Sequence, residues 1–245
     1  MGVAVRARPC QSPPVRVRFT SRFGVCHPVR PTLLLDLDGT LVDSVPDLAA
    51  ALNRLMASRL LPPFTHPEVA AMVGDGAGAL VRRAMAARGA EPDQDALGRF
   101  LEDYGAHAAV CTRPYPGVES TLRDLAAEGW RLAVCTNKPE APARALLAAL
   151  GLLGLFSGVG GGDTFPARKP DPLHLLATLE RAGGTPGAAV VVGDHHNDVR
   201  AAAGAGLPCI FAAWGYGPPG TGDDAQATAR TFAEVPALAR GLLRG

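Results

Sequence analysis

The sequence predicts an α/β fold in which helices cover a parallel sheet. Short apolar runs, typical of buried strands, alternate with stretches rich in alanine, leucine and arginine that are typical of helices; these runs are Leu33–Leu37, Leu132–Cys135, Val190–Val192 and Cys209–Ala212. Such alternation indicates that successive strands are parallel and are joined by helices. Three runs end in polar residues, namely Asp36–Asp38, Thr136–Asn137 and Asp194. Because sheets of this type bind ligands at the carboxyl ends of their strands, we expect one site there.

The 31 residues before the first strand differ in composition from the rest of the chain. Residues 1–31 contain six arginines and no acid, so that the remainder of a chain with net charge +1 carries −5. We expect this basic extension to be disordered. Three interpretations stay open: a start site assigned too far upstream, a basic arm for nucleic acid or another polyanion, and an organelle transit peptide.

The first strand is followed by a sequence that predicts a chemical site. Leu35–Ser44 reads LDLDGTLVDS, in which Asp36 and Asp38 leave an apolar strand and Gly39 permits a sharp turn. Two carboxylates at the end of a buried strand are costly unless a cation balances them. The alternative is a turn in which the two side chains accept hydrogen bonds from backbone N–H groups.

A helical insertion is expected between the first and second strands. Residues 44–113 are rich in alanine, leucine and arginine, are punctuated by prolines such as Pro62, Pro67 and Pro92, and contain no clear strand. The turn-forming sequence Arg113–Gly117 would return the chain to the core. We therefore predict a helical cap that lies over the edge of the sheet.

Two later segments could bind an anion. Thr136 and Asn137 end a strand at the start of the next helix, where free N–H groups favour a phosphate, although such residues are also common helix caps. Lys169 lies between Arg168 and Pro170, and its ammonium group suits a phosphoryl oxygen; the alternative is a solvated basic loop. Lys138 and Lys169 are the only lysines among 24 basic residues, and both lie in these segments.

The fourth segment, Val190–Asp198, adds two acids after a strand. Asp194 and Asp198 offer the hard oxygen ligands that Mg²⁺ prefers. His195 and His196 raise the alternative of zinc, but the surrounding donors are nearly all oxygen. The sequence therefore favours Mg²⁺ and leaves the role of the two histidines open.

These four segments, in this order, resemble the phosphatases of the haloacid dehalogenase superfamily from Thr32 to the C-terminus. The resemblance implies a Rossmann-like hydrolase core at residues 32–43 and 114–245 and a helical cap of the first type at residues 44–113. It also implies a mechanism in which Asp36 is the nucleophile that forms an aspartyl-phosphate and Asp38 is the general acid and base.

The same resemblance assigns the remaining site residues. It implies phosphate ligands at Thr136, Asn137 and Lys169, and a Mg²⁺ ion held by Asp36, the carbonyl of Asp38 and Asp194. Asp198 would orient Lys169 or a metal-bound water, and Gly39 would support the first motif.

Several stretches resemble bacterial phosphoglycolate phosphatases, including Val73–Arg83 and Trp214–Gly217. This resemblance implies 2-phosphoglycolate as substrate, with its carboxylate near the backbone at Gly76 and near Arg82 or Arg83. The alternative is that the glycines only begin a cap helix and that the arginines face water. One departure is His195, at a position where these enzymes usually have a small hydroxyl residue.

Other functional classes stay open at this stage. A phosphatase of sugar phosphates, including amino-sugar 6-phosphates, would share most of these motifs. A protein of another class, a non-catalytic polyanion-binding protein, would use the basic extension, but the complete motif set makes a nucleic-acid partner the weaker expectation.

Composition adds expectations about environment and partners. No apolar run approaches the roughly 20 residues of a membrane helix, so no membrane partner is expected. Five cysteines without C-x-x-C spacing indicate free thiols in a reducing compartment, the cytoplasm. The expected partner is a small phosphate ester, bound by a monomer or a homodimer.

Overall fold

The structure is a computed structural model that describes residues 29–91, 93 and 95–244. Residues 1–28 of the expected basic extension, which include Cys10 and Cys26, lie outside the described residues. Pro92 of the predicted cap also lies outside them.

A parallel sheet of six strands forms the centre of the molecule. In spatial order the strands are β5 (Gly158–Gly160), β4 (Arg131–Cys135), β1 (Thr32–Leu35), β6 (Ala189–Gly193), β7 (Cys209–Ala212) and β8 (Ala227–Ala229). All five pairings are parallel. The predicted α/β fold with a parallel sheet is confirmed, with the Asp36–Asp38 segment leaving a central strand.

Helices pack on both faces of this sheet. They are α5 (Val118–Ala127), α6 (Glu140–Ala149), α7 (Pro172–Arg181), α8 (His196–Ala205) and α9 (Val235–Leu242). Because side chains of a strand alternate between its faces, Leu33 and Leu35 join one apolar cluster and Leu34 joins the other. Burial on both faces explains why the central strands read as continuous apolar runs.

Among the described residues, the insertion between β1 and α5 contains four helices with an apolar cluster of their own. They are α1 (Val45–Ala57), α2 (His66–Ala70), α3 (Ala77–Ala87) and α4 (Ala96–His107). Two short strands, β2 (Val42–Asp43) and β3 (Arg113–Pro114), pair in antiparallel fashion where the chain leaves and re-enters the core. This arrangement supports the interpretation of residues 44–113 as a cap.

Buried Asp47 fastens the end of the cap next to this strand pair. Its carboxylate accepts hydrogen bonds from the backbone N–H groups of Cys111 and Thr112 at 2.8–3.0 Å and from the Thr112 hydroxyl at 2.7 Å. The start of α1 is thereby tied to the segment that returns to the core.

The structure differs from the sequence prediction at several strands. β5 and β8 were not expected, because Gly158–Gly160 and Ala227–Ala229 lack large apolar side chains. β1 ends at Leu35 instead of Leu37, because the carbonyl of Leu37 accepts hydrogen bonds from the N–H groups of Leu41 and Val42 in a tight turn. The pair β2–β3 was also missed, since two residues carry no periodic signal.

Two further expectations concern environment. None of the helices in the described part of the chain has the length and apolarity needed to cross a membrane. Cys111, Cys135 and Cys209 are free thiols, as predicted.

Candidate active site

The turn after β1 brings the first motif against the fourth. Gly39 has φ of +87°, and a Cβ atom there would lie 2.3 Å from an oxygen of Asp194, so that only glycine fits this position. Asp36 and Asp38 both line a cavity that lies between the core and the cap. The turn therefore places two carboxylates at one opening, as the sequence predicts.

Lys169 connects the first, second and fourth motifs. Its Nζ atom lies 2.9 Å from Asp36 Oδ1 and donates hydrogen bonds of 2.6 Å to Asp198 Oδ1 and to the carbonyl of Cys135. Burial alone would lower the pKa of Lys169, but the neighbouring Asp198 and Asp36 carboxylates raise it. Lys169 is therefore a fixed positive charge beside Asp36.

Three buried carboxylates converge next to this lysine. Oxygen atoms of Asp36, Asp194 and Asp198 lie within 4.8 Å of one another. Burial, together with repulsion from Asp198, raises the pKa of Asp36 to about 6, and burial with repulsion from Asp36 and Asp198 raises that of Asp194 to about 8. Three carboxylates face one ammonium group, so the charges balance when a divalent cation binds.

The donor set of this cluster fits Mg²⁺. All its ligand atoms are carboxylate oxygens, which are the ligands that this hard cation prefers. The Oδ1 atom of Asp36 is buried, and Lys169 Nζ contacts it as an ion pair without a well-aligned hydrogen bond, which leaves a lone pair for a cation.

Asp194 is held by residues that the sequence did not single out. The Thr40 hydroxyl donates to Asp194 Oδ1 at 2.9 Å, and the backbone N–H of Tyr216 donates to Oδ2 at 2.8 Å. Gly215 allows this approach, because a Cβ atom there would lie 2.2 Å from Asp194 Cβ. The loop that begins at Gly215 therefore packs directly on the acidic cluster, a contact that no local sequence signal reveals.

The second motif, Thr136 and Asn137, lines the cavity and also contacts the cap. Thr136 is buried and lines the cavity just before α6, and its hydroxyl oxygen accepts from the Lys138 N–H at 3.2 Å, which leaves its proton free to be donated. Asn137 also lines the cavity, and both N–H bonds of its amide are directed at carbonyls, of Gly74 at 3.0 Å and of Lys169 at 2.9 Å. Its side chain therefore joins the cap to the Lys169 loop, and its role as a phosphate ligand stays a prediction.

Lys138 is a second buried cation of the site. Its Nζ atom lies 3.2 Å from both carboxylate oxygens of Asp38 and donates a 2.8 Å hydrogen bond to the Tyr104 hydroxyl on α4. Burial would lower the pKa of Lys138, but the Asp38 charge raises it. The abundance of arginine elsewhere in the chain had drawn attention to Lys138, although the sequence assigned it no role.

The cavity is lined by residues of both the core and the cap. Its space for the centre of a water molecule is about 50 Å³. Among the described residues that line it, Lys138 has the only cationic side chain; the cap contributes Gly74, Gly76 and apolar residues including Leu48, Leu80 and Phe100. Arg82, expected near the substrate, is exposed on α3 and does not line the cavity, since the helix turns it outward.

His195 and His196 lie where the core meets the cap loop before α3. His195 precedes the first residue of α8, and the two imidazole rings are 4.0 Å apart between centroids. Burial lowers the pKa of His195 to about 4, with a contribution from His196, and burial also lowers that of His196. Asp75 of the cap loop lies next to both rings.

Comparisons with known proteins identify a matching family and similar relatives. Residues 31–206 match the sequence model of the family described as haloacid dehalogenase-like hydrolase. The chain is 46% identical over 192 residues to a phosphoglycolate phosphatase from Rhodospirillum rubrum, a match that covers 75% of this chain and 80% of the relative.

Two crystal structures resemble the fold. A predicted phosphoglycolate phosphatase from Haemophilus somnus superposes with a TM-score of 0.79 and 32% identity, over 85% of this chain and 97% of the other. CbbY from Rhodobacter sphaeroides, solved in complex with phosphate, superposes with a TM-score of 0.72 and 26% identity. The match covers 84% of this chain and 96% of CbbY.

Proposed function

The chain belongs to the haloacid dehalogenase-like hydrolase family and is a phosphatase, and from this we propose that it hydrolyses 2-phosphoglycolate in a Mg²⁺-dependent reaction through an aspartyl-phosphate. The observation that carries the proposal is the pairing of Asp36 with Lys169 beside two further buried carboxylates. Relatives named phosphoglycolate phosphatase, at 43–46% identity, support the choice of substrate.

Asp36 is the proposed nucleophile, and its surroundings suit that role. Lys169, 2.9 Å away, fixes the orientation of the carboxylate and can share the charge of a phosphoryl oxygen. Asp36 and Asp194 would hold the Mg²⁺ ion, which would supply the counter-charge that lets an anionic nucleophile meet an anionic phosphate. The Thr136 hydroxyl and the backbone N–H groups before α6 would hold the remaining phosphoryl oxygens.

Asp38 is the proposed general acid and base. Its carboxyl group would give a proton to the leaving alkoxide oxygen and would then take one from the water that attacks the aspartyl-phosphate. Lys138 contacts both oxygens of Asp38 and therefore fixes the direction in which this group faces the cavity.

We assign the recognition of the substrate carboxylate to Lys138 instead of Arg82. A phosphate seated at Asp36 directs its leaving group into the cavity, and Lys138 is the cationic side chain that lines it. A buried ammonium group attracts a carboxylate more strongly than an exposed guanidinium does, because water screens the latter.

The substrate test compares phosphate release from 2-phosphoglycolate, from glucose 6-phosphate and from glucosamine 6-phosphate. We expect kcat/KM for 2-phosphoglycolate to be higher by at least about tenfold. Turnover should disappear with a chelator and in Asp36→Asn. If kcat/KM for a sugar phosphate is instead higher by the same margin and its turnover still depends on Asp36, the proposed mechanism stands and the proposed substrate is wrong.

Lys138 is tested with a neutral analogue of the substrate. The ratio of kcat/KM for 2-phosphoglycolate to that for 2-hydroxyethyl phosphate isolates the carboxylate, because any effect of the substitution on Asp38 cancels in the ratio. We expect Lys138→Met to reduce this ratio by at least about tenfold and the matched control Arg82→Met to leave it unchanged. If Arg82→Met reduces the ratio and Lys138→Met leaves it unchanged, Arg82 is the ligand of the substrate carboxylate.

A further inference from the structure

A second group of metal-ligating side chains lies at the junction of cap and core, apart from the carboxylate cluster. Asp75 of the cap loop and His195 and His196 of the core each offer a ligand atom, and these atoms lie within 4.8 Å of one another. The Asp194 carboxylate, next to His195 in sequence, is turned away to Thr40 and Tyr216. The two groups therefore share no side chain.

The imidazole nitrogens of this group are available to a ligand. His195 Nδ1 accepts a 3.4 Å hydrogen bond from the Asn197 N–H, which leaves Nε2 without a hydrogen-bond partner among the described residues. The His196 ring makes no hydrogen bond with any described residue. Two imidazoles whose centroids lie 4.0 Å apart with their planes tilted by 46°, with unpaired nitrogens and a carboxylate beside them, have the chemistry of a transition-metal site.

The cap loop is shaped to meet these rings. Gly74 has φ of +123°, and a Cβ atom there would lie 2.7 Å from His195 Nε2, so that the ring packs against bare backbone. Asn197 Nδ2 donates to the carbonyl of Gly74 at 3.2 Å and to Asp75 Oδ1 at 2.7 Å. Because these contacts fix Asp75 next to the histidines, small rotations would bring the three ligand atoms to the roughly 3.3 Å spacing of a tetrahedral zinc site.

We propose that Asp75, His195 and His196 bind a divalent transition ion of the zinc class, and that this ion ties the cap to the core. The set of two imidazoles and one carboxylate leaves a fourth position for water on the partly exposed side. Since the substrate cavity is lined by both cap and core, a tie at this junction slows the opening through which substrate and product pass. The ion is therefore an inhibitor, distinct from the Mg²⁺ that supports catalysis.

Arg83 opposes the proposed ion. Its guanidinium is paired with Asp75 and donates to the carbonyl of Met72 at 2.9 Å. A cation at Asp75 must share that carboxylate with Arg83 and bear its repulsion. Removing the arginine charge should therefore tighten metal binding, an effect that no purely structural role of Asp75 explains.

The binding test uses the full chain in saturating Mg²⁺, titrated with Co²⁺ and followed by visible absorption. We expect one equivalent to give a ligand-field band that Zn²⁺ abolishes. His196→Ala should weaken this binding by at least about tenfold, Arg83→Met should strengthen it, and Asp36→Asn should leave it unchanged. His196 is partly exposed and lies outside the proposed catalytic residues, so the variant should keep its Mg²⁺-dependent activity, which verifies folding.

Activity provides the second readout and rests on the proposed phosphatase function, whereas the absorption band does not. Micromolar Zn²⁺ should inhibit the wild type and should inhibit His196→Ala much less. A band that survives in His196→Ala, or one that is lost in Asp36→Asn, would overturn the proposal by assigning the ion elsewhere. Equal inhibition of the wild type and His196→Ala by Zn²⁺ would contradict the proposal that the ion at this site ties the cap to the core.

Discussion

The Asp36 and Asp194 carboxylates make the stability of the metal-free protein depend on pH. Their pKa values rise from the ordinary 3.8 to about 6 and about 8, so the folded state retains protons that the unfolded state has already released. The free energy of unfolding therefore falls as pH rises from about 4 through 8, because the unfolded state binds fewer protons in that window. Binding of the proposed Mg²⁺ ion would offset the loss by balancing the ionised groups.

We predict that Mg²⁺ raises the melting temperature more at pH 8.5 than at pH 6. The measurement is thermal unfolding with and without Mg²⁺ at the two pH values. Asp194→Asn removes one of the ionising groups, so the metal-free variant should lose less stability with rising pH. A Mg²⁺ effect of equal size at both pH values would contradict the prediction.

Asp47 provides a test of how the two ends of the cap are held together. Its substitution by alanine leaves the N–H groups of Cys111 and Thr112 and the Thr112 hydroxyl without their acceptor. We expect Asp47→Ala to lower the free energy of unfolding by about 3 kcal/mol, measured by urea denaturation. Asp124→Ala, at an exposed position of α5, serves as control and should change it by less than about 0.5 kcal/mol.

At the scale of single residues, the sequence predicted side chains whose role follows from their neighbours along the chain. Asp36, Asp38 and Asp194 stand directly after buried strands, and that position alone indicated a shared edge. Lys138 and Asn137 were harder to assign, because their partners Tyr104 and Gly74 belong to the cap, over 30 residues away. Hydrogen bonds of this range leave no pattern in the sequence.

At the scale of elements, the end of β6 and the start of α8 form one unit around Asp198. The His195 N–H donates to Asp198 Oδ2 at 3.1 Å, and the other carboxylate oxygen accepts from Lys169. Gly193 makes room for this carboxylate, because a Cβ atom there would lie 2.1 Å from Asp198 Cγ. The end of β6 therefore positions Asp198, and Asp198 in turn positions the ammonium group of Lys169.

Gly193→Ala should displace Asp198 and with it Lys169. We predict a fall in kcat of about a hundredfold, because a shift of about 1 Å in a catalytic group has that order of effect. Steady-state phosphate release measures it. Gly105→Ala is the matched control: it lies in α4 with no heavy atom within 4 Å of the added methyl group, and it should keep kcat while stabilising the fold by about 0.5–1 kcal/mol.

Strands were predictable where both faces are buried and the run is long enough to stand out. β1, β4, β6 and β7 meet that condition. β5 and β8 lie at the two edges of the sheet, and β5 is Gly-Val-Gly, in which Gly160 is required because a Cβ atom would lie 2.0 Å from Thr178 Oγ1. A short strand whose glycines allow close packing against a helix therefore has the sequence of a loop.

At the scale of the whole molecule, the fold and every proposed site residue belong to the described residues from Val29 onwards. We predict that a chain starting at Val29 keeps the kcat/KM of the full chain for 2-phosphoglycolate. Any affinity for heparin or DNA should disappear with the basic extension, since the remaining chain is acidic. Polyanion binding that persists in the shortened chain would assign that affinity to the folded part.

The position of β1 in the sheet also has a consequence for synthesis of the chain. Thr32 pairs with Arg131 on one side and with Ala189 on the other, so the first strand to leave the ribosome meets its neighbours only after most of the chain has been made. The helices of the cap emerge in between, and their contacts with one another span shorter stretches of chain than the pairings of β1 do. Because local contacts form faster than distant ones, we expect the nascent cap to fold first and the strand that precedes it to wait, unpaired, for the second half of the molecule.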